Sequence, residues 1–291
     1  MKFFSYDTGE LSIMPKREAD GNKGAFGRIL CVCGSEGMAG AAYLAAKAAY
    51  RSGAGLVEVL THRVNLPIIQ TLIPEAVVSV YDEDYQRDTI LSCVERADAI
   101  VIGCGLSQSV LARNVLSDVL RARGENIPLV IDADALNLLS RNRSLLKYAK
   151  GAVITPHVAE MSRLCGRSIE EIKADKEQTA KDFAEKYSLV CVLKDHVSVV
   201  SDGGEEVYIN KRGNSGMATG GSGDVLAGII GAILCQASKR SEKIDMLSLA
   251  SLGVYIHSFA GDLAASEIGE YSVMASDIIE SIPKVLKRVH N

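Results

Sequence analysis

Gly213-Asn214-Ser215-Gly216-Met217-Ala218-Thr219-Gly220-Gly221-Ser222-Gly223-Asp224 runs directly into Val225-Leu226-Ala227-Gly228. Five glycines fall between 213 and 223, and an acid closes the loop. A glycine-rich loop feeding an apolar helix leaves free backbone N–H groups at the helix start, where the macrodipole favours negative charge. Without Cβ atoms in the way, a phosphate can approach the backbone closely. Asp224 falls in the first turn of that helix. An acid beside a phosphate-binding loop is repulsive unless it has a task, and taking the proton from an attacking hydroxyl is such a task. The plainer alternative is a tight turn with an aspartate that complements the helix dipole. The density of glycine favours the catalytic reading.

Upstream of this loop, strand and helix signals alternate. Arg28 to Cys33, Leu56 to Thr61, Ala76 to Val80, Ala99 to Ile102, Leu129 to Ile131 and Ala152 to Thr155 read as apolar strands. Met38 to Arg51, Thr89 to Arg96 and Val110 to Arg123 read as helices, and Ser168 to Tyr187 as a charged surface helix broken once. Leu189 to Leu193, Val197 to Ser201 and Glu206 to Ile209 follow closely, with Asp202-Gly203-Gly204 as a hairpin turn. Val225 to Cys235, Asp245 to Ser266 and Ser276 to Arg288 read as helices. Continuous apolar strands alternating with helices predict an α/β fold, a mainly parallel central sheet with helices on both faces. With no linker or repeat, residues 1–291 read as a single domain, 1–27 being a polar N-terminal arm. Gly34-Ser35-Glu36-Gly37, Gly103-Cys104-Gly105, Asp132-Ala133-Asp134 and Thr155-Pro156-His157 each follow a strand. That is where such sheets bind ligands.

Composition narrows the chemistry. A net charge of −4 and a pI near 5.8 argue against a nucleic-acid binder. The 26 glycines, no tryptophan and 5% aromatics suit close backbone packing and ligand loops. Seven cysteines, none spaced C-x-x-C, read as small buried hydrophobes in a reducing compartment. Asp7 and Glu10 interrupt any leader, and the longest uncharged apolar stretch, Val225 to Cys235, is too short to span a membrane. The expected location is cytoplasmic. Walker A, G-x-S-x-G and H-E-x-x-H patterns are missing, and Gln108 breaks a dinucleotide fingerprint starting at Gly103.

Gly-Gly-Ser-Gly-Asp-Val-Leu-Ala-Gly at 220–228 resembles the anion-hole and catalytic-aspartate signature of the ribokinase-like superfamily. Four further segments resemble the ADP/ATP-dependent NAD(P)H-hydrate dehydratases within it. They are Lys23-Gly24-Ala25-Phe26-Gly27, Gly34 to Ala42, Ser52-Gly53-Ala54-Gly55-Leu56-Val57, and Thr155-Pro156-His157 with Glu160-Met161. The resemblance extends over roughly residues 11 to 288. It implies a ribokinase-like fold and a hydro-lyase that repairs hydrated NADH or NADPH. ADP or ATP with Mg²⁺ phosphorylates the ring hydroxyl, and phosphate then leaves. By position, Asp224 matches the catalytic base and Gly221, Ser222 and Gly223 the anion hole, Gly223 also touching nucleotide. Lys194, Asp195, His196, Val197 and Ser198 match the adenine-nucleotide segment. Ala41, Gly105 and His157, together with Asp224, match the hydrated-cofactor site. No metal ligand is assigned.

The chain departs from the family's usual pattern in places. Asn22 stands for His, Cys104 and Ser107 interrupt Gly-Pro-Gly-Leu-Gly, and Val158-Ala159 stand for Pro-Gly. In the nucleotide segment Asp195 replaces Gly, placing a negative charge near a nucleotide, and Ser198 replaces Thr. The resemblance further implies a homotetramer and, since only a short arm precedes Arg28, a separate epimerase in the same pathway. Neither nucleic acid nor membrane is expected as a partner. Two rival readings share the aspartate loop: a small-molecule kinase acting on a vitamin precursor or sugar alcohol, and a non-catalytic nucleotide sensor.

Overall fold

A computed structural model of the protein describes residues 1–6, 11, 13–14, 16–240 and 245–290. Strand β1 (Lys2–Phe4) is followed by β2 (Arg28–Val32), α1 (Ala39–Arg51), β3 (Leu56–His62), α2 (Leu66–Leu72) and β4 (Val77–Tyr81). Next come α3 (Arg87–Glu95), β5 (Ala99–Ile102), α4 (Val110–Ala122), β6 (Leu129–Ile131), α5 (Ala133–Arg141), β7 (Val153–Ile154) and α6 (Val158–Cys165). The chain continues through α7 (Ile169–Ala174), α8 (Lys176–Tyr187), β8 (Val190–Leu193), β9 (Val199–Ser201) and β10 (Glu206–Ile209). Helices α9 (Ser222–Ser238), α10 (Met246–Ile268) and α11 (Ala275–Leu286) complete it.

The strands form one sheet in the order β1-β10-β9-β8-β7-β6-β5-β2-β3-β4. Only β9 among them runs against its neighbours; the other pairings are parallel. Side chains alternate across it with period two. In β2, Ile29 and Cys31 join the core under α1, α9, α10 and α11, while Leu30 and Val32 join the core under α3, α4, α5 and α8. Both faces being covered explains why the strands read as unbroken apolar runs.

The chain lays β2, β3 and β4 outward in one direction and returns to place β5 on the other side of β2. This reversal is a topological switch point, the place where such sheets bind ligands; the loops starting at Gly34 and Gly103 meet there, the Gly34 N–H donating to the Cys104 carbonyl at 2.9 Å. On one face of the sheet α9 packs against β2, β5 and β6, with its first turn beside the residues that follow β6 and β8.

Most predicted elements appear within one to three residues. The break in the charged helix is at Asp175, which caps α8 by accepting from the Gln178 N–H. Within the expected N-terminal arm, residues 2–4 form an edge strand, paired in parallel with β10 over Lys2–Glu206 to Phe4–Tyr208. Phe4 and Tyr6 hold this strand down by packing on Tyr208. Expected arm residues 7–10, 12 and 15 lie outside the described set. Among the described residues no helix is long and apolar enough to cross a membrane.

Candidate active site

The first turn of α9 organises the site. Gly221, its N-cap, has φ of +88°, and an ideal Cβ there would stand 2.3 Å from Leu44 Cδ1, so only glycine is accommodated. No side chain caps the helix, and the Ser222 N–H reaches back to the Thr219 carbonyl at 3.4 Å; a helix start of this kind suits an anion. The preceding loop is fixed by α10: Asp262 accepts from the Gly213 N–H at 3.3 Å and from Asn214 Nδ2 at 3.1 Å. Ser222 Oγ lies 3.2 Å from Nε2 of buried His257. Burial pushes the imidazole pKa down to about 4, so the ring is neutral at physiological pH.

Asp224 is the third residue of α9. Its pKa is pushed up to about 7, first by burial and then by the Asp132 carboxylate; a hydrogen bond from Cys104 and the charge of Lys194 pull the other way. Cys104 Sγ and carboxylate oxygens of Asp132 and Asp224 lie within 4.8 Å of one another. Asp132 is buried, and its Oδ1 accepts from Lys194 Nζ at 2.8 Å and from Thr155 Oγ1 at 2.7 Å. Burial disfavours the Lys194 ammonium, but Asp132 and Glu160 outweigh it and its pKa is raised. An ideal Cβ on Gly223 would sit 3.2 Å from Lys194 Nζ and 3.7 Å from Asp132 Oδ2. A proton acceptor, an ammonium and a helix N-terminus therefore converge on one spot.

His157 caps α6, Nδ1 accepting from the N–H groups of Ala159 (3.1 Å) and Glu160 (3.3 Å), while Glu160 Oε2 accepts from the His157 N–H at 2.9 Å. Accepting at Nδ1 puts the ring proton on Nε2, which faces Glu160 Oε1 at 3.4 Å. Burial, Lys194 and Arg163 lower the His157 pKa, and burial raises that of Glu160 to about 7. His157 also bridges to Lys194 in parallel register, joining the end of β7 to the end of β8.

Ala41 and Gly105 pack together at the switch point: an ideal Cβ on Gly105 would stand 2.7 Å from Ala41 Cβ. Lys194 to Ser198 form the β8–β9 connection beside the anion cup, with Asp195 ion-paired to Lys176. The structure thus sets Gly223 beside Lys194, bridges His157 to Lys194 and packs Ala41 against Gly105, while His196 stands on the outside of its loop. Two of the resembling segments lie elsewhere. Lys23–Gly27 and Ser52–Gly55 pack on each other and on Cys235 and Gln236, near the far end of α9. Asn22 there closes a turn by accepting from the N–H groups of Gly24 and Ala25. Sequence reasoning placed the Gly103–Gly105 and Asp132–Asp134 segments at the ligand end of the sheet but gave Cys104 and Asp132 no role, and it missed His257. Asp132 had a signal, an acid directly after a buried strand; His257, inside an apolar helix, had none.

The sequence family described as NAD(P)H-hydrate dehydratase matches residues 29–284. An ADP-dependent (S)-NAD(P)H-hydrate dehydratase of Lactiplantibacillus plantarum is 39% identical over 94% of this chain and 92% of its own length. A bifunctional NAD(P)H-hydrate repair enzyme of Coxiella burnetii is 39% identical over 93% of this chain but only 52% of its own. The chain spans about half the length of the bifunctional relatives it matches. The crystal structure of the ADP/ATP-dependent NAD(P)H-hydrate dehydratase of Bacillus subtilis, co-crystallised with ATP/Mg²⁺, superposes with a TM-score of 0.80 at 28% identity, over 97% of both chains.

Proposed function

The chain belongs to the NAD(P)H-hydrate dehydratase family, and we propose that it restores NADH and NADPH from their hydrates by phosphorylating the ring hydroxyl with ADP or ATP. The observation that carries this reading is the Asp224 carboxylate, poised near neutrality beside an uncapped helix N-terminus and the Lys194 ammonium. Asp224 takes the hydroxyl proton as the oxygen attacks the terminal phosphorus. The bridging P–O bond breaks, and AMP or ADP departs. The N–H groups of Gly221, Ser222 and Gly223 hold the oxygens of the migrating group, and Lys194 offsets their charge. The substrate C–O bond then breaks, inorganic phosphate leaves, the ring loses a proton and its double bond returns. Hydroxide is a poor leaving group and phosphate a good one, which gives the nucleotide its purpose.

Ala41, Gly105 and His157 are assigned to the hydrated cofactor, and 194–198 to the nucleotide. Mg²⁺ is a hard cation that takes oxygen ligands. The Cys104, Asp132 and Asp224 trio mixes a thiol with carboxylates, and Lys194 already neutralises Asp132. These residues do not make a Mg²⁺ cage, so Mg²⁺ would be held by the nucleotide phosphates and would offset their charge. A homotetramer and a cytoplasmic setting complete the reading; seven unpaired cysteines support a reducing compartment.

The test mixes purified protein, hydrated NADH, Mg²⁺ and either ADP or ATP. Recovery of near-ultraviolet NADH absorbance with equimolar inorganic phosphate is expected, and chelation of Mg²⁺ should stop it reversibly. A stable phosphate ester without NADH would make the protein a kinase instead.

A further inference from the structure

The nucleotide loop carries a charge that phosphates would avoid. Asp195 follows Lys194 directly, in the connection assigned to ADP or ATP. Burial pushes its carboxyl up, but Lys176 and the His196 N–H outweigh burial and hold it below the ordinary carboxylate range. An ionised carboxylate here would repel a nucleotide unless something neutralised it.

Lys176 does so. Its Nζ donates to Asp195 Oδ2 at 3.0 Å and to the Val197 carbonyl at 3.1 Å. Its side chain is only 12% exposed and that of Asp195 22%, so the pair is shielded from bulk screening. Lys176 is the first residue of α8, the end of a helix where the macrodipole disfavours a cation. Asp175, the cap, offsets part of that cost. The position makes little sense for helix stability and good sense for reaching the loop. By holding Asp195 and Val197 together, one ammonium ties the two sides of the turn. Ser198 Oγ, donating to the Asp195 carbonyl at 3.3 Å, closes it further. His196 lies on the outside, Nδ1 3.5 Å from Asp195 Oδ2 and 81% exposed. It is too solvated to replace Lys176.

We propose that Lys176 is a positioning residue for the nucleotide: it cancels the charge of Asp195 and sets the shape of the 194–198 loop, so the pair tunes nucleotide affinity rather than the chemical step. This rests on the nucleotide-binding reading of that loop.

The experiment compares wild type, Lys176→Met, Asp195→Asn and the double variant. ADP and ATP binding is measured by calorimetry, nucleotide KM and kcat by NADH recovery, and folding by circular dichroism. Lys176→Met should raise the nucleotide Kd and KM about tenfold, with the loss concentrated in KM rather than kcat. Asp195→Asn should tighten nucleotide binding, because Lys176 then faces the phosphates uncompensated. The double variant should return to within about threefold of wild type, since no buried charge is stranded. An unchanged KM in Lys176→Met, or a double variant as weak as the single, overturns the proposal. So does weaker or unchanged binding in Asp195→Asn, the result expected of a purely structural pair; this arm decides the matter even if Lys176→Met fails to fold. Wild type that binds neither ADP nor ATP removes the nucleotide reading and the proposal with it. Wild type that binds, with variants that do not differ from it, removes the proposal alone.

Discussion

At the scale of single residues, function concentrates on Asp224. A base must be ionised to accept a proton, so kcat/KM for the hydrate should rise about tenfold per pH unit below about 7 and level off above it. Glu160 titrates in the same range. The limb is therefore assigned with Glu160→Gln, in which it should persist. A limb near the ordinary aspartate value, or one lost in Glu160→Gln, would remove Asp224 from its role. Asp224→Asn should abolish turnover while nucleotide still binds. It should also stabilise the protein, and the sign follows from linkage. The folded-state pKa lies above the ordinary 3.8, so the native state binds more protons between that value and about 7 and loses stability as pH rises through the window. The gain in Asp224→Asn is expected to be on the order of 4 kcal/mol at pH ~8 and to vanish towards pH ~4, as read from thermal melts.

Among elements, the seam between α1 and α9 is the one that sets the site, because α9 must lie close enough to the sheet for its first turn to reach Lys194 and Asp132. Six alanines of α1 are buried, and an ideal Cβ on Gly228 would fall 2.3 Å from the Ala45 carbonyl oxygen and 3.0 Å from Ala48 Cβ. Gly228→Ala should cost about 1–3 kcal/mol through forced separation of the helices. The readout is a lower denaturant midpoint with an unchanged m-value, and an unchanged midpoint would show that the seam gives way freely. Helices of this kind were legible in the sequence: the Ala-rich pattern of α1, the amphipathic α4 and the glycine loop before α9 all announce themselves. Helices α5 and α6 were not. They are short, nine and eight residues, and follow strands so closely that Asp132 and His157 read as loop residues. The His157 cap has no simple signature, since its ring nitrogen replaces the usual hydroxyl or carboxylate. Strand β1 was illegible for another reason: three residues pair with a partner about two hundred positions away, which no local pattern encodes.

The whole molecule sorts its chemistry by depth, and its cysteines test that. The parallel sheet buries both faces, so thiols on strands and central helices end up in apolar surroundings, where the thiolate is disfavoured. Burial raises the thiol pKa of Cys31, Cys191 and Cys235, and that of Cys93 to about 11. Cys104 is pushed up by a hydrogen bond with Cys33 and by burial, even though it borders the site. Six of the seven cysteines are buried, and Cys165, at the end of α6, alone is partly exposed. The thiolate is the nucleophile in disulfide exchange, so an aromatic disulfide reagent should label one thiol per native chain quickly, and Cys165→Ser should remove that label. All seven should react in denaturant. Labelling of Cys104 in the native protein, protected by bound nucleotide, would mean that the switch point opens far more widely than this packing allows. The charge arrangement around Asp224 would then need to be redrawn with water inside it.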